Sequence, residues 1–318
     1  TTGTASGTTL AVDQTAPTIS TSSIASNNST STLATTSDLV TLTIATNENI
    51  SSPTVAFTSG GAAAGNVDTV SGASPGTSFT SAYTVDASDT DGTVAISITA
   101  TDVAGNTTSG FTTISAGSVT VDQTAPASQK TQGVVTTGGD NQVAGYWNSG
   151  NTGVDITVPI ADDSSINGGT VQLLVSTDGG GSFVPLDTPS TISAVNTNKT
   201  ISVAGGVLEG VAGFGESDVL QFKATITDTS GNATTGTVSD TTLTVDQTAA
   251  TISTSSIASD NETVTLAKAG DTVTLTIATN ENVSSPTVTF TSGGAAATNA
   301  DTVSGASPGT SFTSAYTV

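Results

Sequence analysis

Residues 18–85 align with residues 251–318 without a gap, with 57 identities in 68 positions at an offset of 233. A chain that copies itself at that spacing is an array of repeated units, and its fold must tolerate end-to-end repetition. Thr2-Gly3-Thr4-Ala5-Ser6 matches Thr235-Gly236-Thr237-Val238-Ser239 at the same offset, so the sequence spans about one and a third units. Within a unit, Val12-Asp13-Gln14-Thr15-Ala16 returns as Val121-Asp122-Gln123-Thr124-Ala125 and as Val245-Asp246-Gln247-Thr248-Ala249. The three aspartates are 109 and 124 residues apart, which divides the unit into two related domains of unequal length. The expected boundaries are 1–12 as the last strand of a preceding domain, 13–121 as the first domain, 122–245 as a longer second domain, and 246–318 as a truncated third domain nearly identical to the first.

Thr, Ser, Gly, Ala, Asn and Val dominate, and β-branched residues broken by Gly and Asn read as short strands joined by turns. In Leu39-Val40-Thr41-Leu42-Thr43-Ile44 a period of two puts Val40, Leu42 and Ile44 on one face. Further strands are expected at Thr54-Val55-Ala56-Phe57, over 79–85 with Phe79, Tyr83 and Val85 inward, over 93–101 with Val94, Ile96 and Ile98 inward, and over 117–121. The second domain repeats the plan with strands at 154–158, 169–176 and 219–227, and adds Tyr146-Trp147 and the loop 205–215. About seven short strands in roughly a hundred residues fit a two-sheet sandwich. The fold class is therefore all-β: tandem immunoglobulin-like β-sandwich domains in an elongated rod.

The chain carries 26 acidic residues against 4 lysines and has no arginine, a formal net charge of −22. Phosphate binding draws on clustered Lys and Arg, so nucleic acid and anionic membrane surfaces are disfavoured partners. No run approaches the roughly 18 apolar residues of a membrane span, and no signal peptide is visible at Thr1. Cysteine, histidine and methionine are absent, which removes disulfides, thiolate or imidazole metal sites and the usual general base. A catalytic serine would lack its partner. Lys223, the one plausible lysine for an isopeptide cross-link, reads instead as an alkyl stem beside a solvated face.

Acids recur at three positions relative to the strands. One follows the strand at 39–44: Glu48, its copy Glu281, and Asp162 with Asp163 in the second domain. Another follows the strand at 93–101: Asp102 in Thr101-Asp102-Val103-Ala104-Gly105-Asn106, and Asp228 in Thr227-Asp228-Thr229-Ser230-Gly231-Asn232. The third is the linker aspartate. In an immunoglobulin-like topology these loops lie together where a domain begins, beside the linker that precedes it. The loop 86–92, with Asp89 and Asp91, lies at the opposite end and should face the next domain.

Asp122 should therefore meet Asp162 or Asp163 and Asp228 from the domain after it, and Asp89 or Asp91 from the domain before it. The matching sets are Asp13, Glu48 and Asp102 at the first joint, and Asp246, Glu281 and Glu216 or Asp218 at the last. Carboxylates at that proximity repel unless they are neutralised, and oxygen-only ligands suit calcium. Asp-Gly and Gly-Asn pairs are also ordinary turn residues, so solvated turns remain the alternative. If calcium occupies one joint only, the expectation is Asp122, where every partner lies within the chain.

Val-Asp-Gln-Thr-Ala-Pro opening a domain and Thr-Asp-Val-Ala-Gly-Asn near its end resemble the bacterial immunoglobulin-like repeats of giant secreted and cell-surface adhesins and biofilm-associated proteins. The resemblance covers essentially the whole chain. It implies an extracellular location, long rods and calcium-binding joints, with that role for Asp13, Asp122, Asp246, Asp102 and Asp228. Two departures stand out: Ala250 replaces the proline found at Pro17 and Pro126, and the second domain has Thr229-Ser230 where the first has Val103-Ala104.

Three functions follow as expectations. The first is a non-catalytic structural spacer of a repetitive surface protein, its partners the neighbouring repeats of the same chain. The second is a subunit of an extracellular filament or surface layer, contacting other copies. The third is a glycan- or protein-binding module in the second domain, built on Tyr146, Trp147 and the loop 205–215.

Overall fold

The computed structural model describes Gly7 and residues 10–139 and 142–318. The strand expected over residues 1–12 lies largely outside them. The chain divides into two compact units, Thr1–Val245 and Asp246–Val318.

The first unit opens with a sandwich of nine strands: β1 (Ile19–Ser26), β2 (Leu33–Ala34), β3 (Leu39–Ile50), β4 (Thr54–Ser59), β5 (Ala62–Ala63), β6 (Gly76–Thr84), β7 (Gly92–Thr101), β8 (Thr107–Phe111) and β9 (Thr120–Val121). One sheet has the order β1-β3-β6, and the other runs β2-β9-β7-β4-β5 with β8 on the free side of β7. The chain changes sheets between β1 and β2, where β2 pairs parallel to β9, and again between β2 and β3, β3 and β4, β5 and β6, and β6 and β7. This is the connectivity of an immunoglobulin-like sandwich.

Alternation decides which side chains the two sheets bury. Val40, Leu42 and Ile44 are fully buried on β3 while Thr43 between them is exposed. They face Phe57, Val94, Ile96 and Ile98 across the interior, and each such side chain is worth about 1.5–3 kcal/mol of burial. The rings of Phe57 and Tyr83 meet at 5.1 Å with a 44° tilt.

The closing strand is shorter than the span 117–121. Ile24 donates its N–H to the Ala116 carbonyl at 3.0 Å, which holds the chain against β1 before it reaches β2. Gly117 makes that crossing at φ +78°, where a Cβ would lie 2.2 Å from the Ile24 carbonyl oxygen; no other residue fits.

A second sandwich follows: β10 (Gln132–Thr137), β11 (Tyr146–Trp147), β12 (Gly153–Ile160), a 3-10 turn (Ser164–Ile166), β13 (Thr170–Ser176), β14 (Val184–Thr191), β15 (Thr197–Ala204), α1 (Gly205–Glu209), β16 (Val219–Thr227), β17 (Ala233–Thr235) and β18 (Leu243–Val245). Its sheets are β10-β12-β15 and β11-β18-β16-β13-β14, with β17 on β16. The additions thicken the core. Trp147 is fully buried in the cluster that holds Leu208 and Leu243, and its indole N–H donates to Glu209 at 3.0 Å. Lys223 lies over the Phe183 ring at 3.9 Å, a surface cation–π contact.

The second unit holds β19 (Ile252–Ser259), β20 (Thr272–Val283), β21 (Thr291–Ser292), β22 (Ala295–Ala296) and β23 (Gly309–Thr317). The sheet β19-β20-β23 copies β1-β3-β6, and β21-β22 is a separate hairpin. Residues 251–318 match 18–85, so the likeness of this unit to the first sandwich extends through β6. No helix among the described residues is long and apolar enough to cross a membrane.

Candidate metal centre and the domain joints

Two strands and the linker meet where the first sandwich begins. The linker brings Asp13, the far part of β3 carries Glu48, and Asp102 follows β7. Ligand oxygens of these three carboxylates all lie within 4.8 Å of one another. Among the described residues no other group of three acidic side chains is drawn together in this way.

Each residue is held by its own local structure. Asp102, 2% exposed, organises the turn that follows β7. Its Oδ1 accepts the N–H groups of Ala104 (2.8 Å) and Asn106 (2.9 Å), and its Oδ2 accepts the Asn106 side-chain amide (2.8 Å). That amide, with the turn N–H groups behind it, holds the Asp102 carboxyl below its ordinary pKa despite burial, because hydrogen bonds to the charged form favour it. Gly105 completes the turn at φ +99°.

Asp13 accepts the N–H of Thr15 at 3.0 Å, and its main-chain carbonyl accepts Asn106 at 3.3 Å. Glu48 sits where Thr46 donates its hydroxyl to the Glu48 carbonyl at 2.7 Å, leaving the side chain directed by the backbone. The donor set is three hard carboxylates whose separation suits two Ca–O bonds of about 2.3–2.6 Å across a shared centre. These residues fit a calcium ion.

The second joint differs from its expected form. Asp228 and Asp91 lie near enough to Asp122 for their charges to act on it, but no three of Asp122, Asp162, Asp163, Asp228, Asp89 and Asp91 bring carboxylate oxygens within 4.8 Å of one another; protein donors hold most of them. Asp163 caps the 3-10 turn, its Oδ1 accepting the N–H (2.9 Å) and hydroxyl (2.7 Å) of Ser165; Asp162 beside it is exposed. Asp228 accepts the N–H groups of Ser230, Gly231 and Asn232 on Oδ1 and the Asn232 amide on Oδ2.

Asp91 takes the N–H of Gln123 at 2.9 Å and the hydroxyl of Thr124 at 2.6 Å. Asp89 accepts the Asp86 N–H at 2.9 Å, and its carbonyl accepts the Gln123 amide at 3.0 Å. The loop 86–92 thus meets the linker, but through hydrogen bonds. The grouping expected to be fullest at Asp122 is found at Asp13 instead.

At the third joint the residues belong to different units. Asp246 and Glu281 lie in the second unit and copy Asp13 and Glu48 at the offset of 233. Thr279 donates to the Glu281 carbonyl at 2.6 Å, as Thr46 does to Glu48, and Glu281 Oε1 is buried with no hydrogen-bond partner. In the first unit Glu216 is exposed, and the Asp218 carbonyl accepts the Val245 N–H at 2.9 Å.

Sequence reasoning missed Asn28 and Thr35. Asn28, in the turn after β1, donates to Asp38 at 2.7 Å and to the Ser230 carbonyl of the second sandwich at 2.9 Å. Thr35, just after β2, donates to the Asn232 side chain at 2.6 Å. Nothing local marks either residue, since each role depends on a partner about two hundred positions away.

No family model matches the chain, and no curated protein does. Among solved structures it is similar to the I-band fragment I67–I69 of titin, at 10% identity and a TM-score of 0.38, covering 96% of this chain and 89% of that one. It is also similar to the tetra-tandem repeat in the extending region of a large adhesion protein, at 20% identity and a TM-score of 0.25, covering 83% and 56%. The strand order described above carries the fold assignment.

Proposed function

We propose that the chain is a non-catalytic structural spacer of a repetitive bacterial surface protein, located outside the cell, whose joints are stiffened by calcium. The observation that carries this reading is the meeting of Asp13, Glu48 and Asp102 within 4.8 Å, one from the linker and two from the domain it enters. A cation held by all three would tie linker to domain, restricting the bend between successive sandwiches. A bound calcium supplies positive charge that offsets the mutual repulsion of the carboxylates. The chain's own residues set the geometry: Asn106 positions both Asp102 and the Asp13 carbonyl, and Thr15 fixes the Asp13 carboxylate.

Near-exact repetition supports a role in length, because each copy adds reach without adding a new site. The binding-module reading loses one of its anchors, since Trp147 is fully buried. Calcium titration of the whole chain by calorimetry tests the proposal. Uptake that is lost in Glu48→Gln supports it, and absence of uptake at millimolar calcium overturns it.

A further inference from the structure

The two kinds of joint in one unit are built from the same motif with different chemistry. At the joint into the first sandwich the turn reads Asp102-Val103-Ala104-Gly105-Asn106; at the joint into the second it reads Asp228-Thr229-Ser230-Gly231-Asn232. The two turns share their internal hydrogen bonds, and Asn232 donates to the Asp122 carbonyl at 2.9 Å as Asn106 does to that of Asp13. Ser230 adds what Ala104 cannot. Its hydroxyl donates to Asp122 Oδ2 at 3.1 Å while Thr124 donates to Oδ1 at 3.1 Å, so the linker carboxylate is satisfied on both oxygens.

The remaining acids at this joint are engaged as well: Asp163 by Ser165, Asp228 by its own turn, and Asp91 by Gln123 and Thr124. No three of these acids bring carboxylate oxygens within 4.8 Å of one another, as Asp13, Glu48 and Asp102 do, so they do not fit a calcium ion. The first sandwich instead offers a docking surface. Asp38 Oδ2 accepts both the Asn28 amide (2.7 Å) and the Thr35 N–H (2.8 Å), which fixes the two residues that reach Ser230 and Asn232. The second unit keeps the acidic hub of this platform: Asp271 accepts from Asn261 at 2.7 Å and from the N–H of Lys268 at 2.8 Å, although Lys268 stands where Thr35 stands in the first sandwich. A hub that forms in two domains independently holds the Asn28 position preorganised, which lowers the entropy lost on docking.

We infer that the joint at Asp122 is a metal-independent dock, closed by Asn28 and Thr35 of the first sandwich on the Ser230–Asn232 turn of the second. Calcium then acts once per 233-residue unit, at the joints of the Asp13 type. This deepens the spacer reading and rests on it for the cation at Asp13, whereas the dock itself stands on hydrogen bonds alone. A unit so built is a stiff pair of sandwiches followed by a cation-responsive joint.

The test uses the full chain, which has no native cysteine, carrying Thr43→Cys and Val135→Cys as spin-label sites on the outer faces of the two sandwiches. Double electron–electron resonance reads the distance across Asp122 with millimolar calcium and with chelator. The dock predicts one narrow distribution that is the same in both, and loss of that single peak in Thr35→Val/Ser230→Ala whatever the calcium level. Alanine is tolerated in this turn, as Ala104 shows. A wild-type distribution that widens on chelation overturns the inference, and so does an unaltered distribution in the double variant. Failure of the spacer reading is read separately, as absence of calcium uptake by the Asp13 group.

Discussion

The Ser230 hydroxyl donates to the Asp122 carboxylate at 3.1 Å, at a turn position where the otherwise matching loop of the first domain carries Ala104. Asp13 and Asp122 both accept the N–H of the residue two positions on, and Asp122 takes the Ser230 hydroxyl besides, whereas Asp13 faces Glu48 and Asp102. A neutral donor to a charged acceptor contributes on the order of 1.5–3 kcal/mol when the pair is shielded from water, enough to decide how a joint closes.

That relationship gives Asp122 an unusual pH response. Burial raises its folded-state pKa, so the folded chain takes up a proton before the unfolded chain does. Its contribution to stability is present below the ordinary carboxylate range and is lost as pH rises through the raised value. Asp102 behaves oppositely: its lowered pKa contributes stability above the ordinary range, lost as pH falls. Asp122→Asn should be as stable as wild type or more so at neutral pH, and wild type should gain on it as pH drops. Denaturant unfolding at a series of pH values checks the crossing.

Tyr83 makes a prediction at the other end of the scale. Burial, and second the nearby Asp89 charge, push its hydroxyl up to about 12 from an ordinary value of 10.0. The folded chain therefore keeps this proton longer than the unfolded chain, and the associated stability, complete below pH 10, declines as pH approaches 12. Tyr83→Phe should flatten that decline in an alkaline unfolding series.

The period of two exposed β3 and β7 in the sequence, because Val40, Leu42 and Ile44 and then Val94, Ile96 and Ile98 needed only alternation. Repetition placed Asp13, Glu48 and Asp102 in matching positions before any strand pairing was known. The second joint was not legible for a different reason. Asp163 stands where Glu48 stands, but Asp-Ser-Ser favours capping a short turn, and a cap spends the carboxylate on its own backbone. Ser230 was visible as a departure from the first domain, yet its meaning required Asp122 and Asn28 to be seen beside it.

Core packing gives a further prediction. Leu42 is fully buried in the first core. Leu42→Ala should destabilise its domain by about 2–5 kcal/mol, the usual cost of a large-to-small core change. Hydrogen exchange of the β3 amides checks it.

At the first joint the Glu48 carboxylate accepts only a long contact from the Asn47 amide, at 3.5 Å. Glu48→Gln keeps its size and removes one charge, and should weaken calcium binding by roughly tenfold or more while leaving the sandwich folded. Circular dichroism checks the fold, and calorimetry the affinity.

The account turns on calcium at the Asp13 group, and thermal unfolding of the full chain in chelator and in millimolar calcium tests it most directly. Ligand bound only to the folded state adds about 2.7 kcal/mol at a hundredfold excess over Kd, so the melting temperature should rise with calcium in the wild type and rise by roughly half as much or less in Glu48→Gln. Identical melting of the wild-type chain in both conditions would contradict the account.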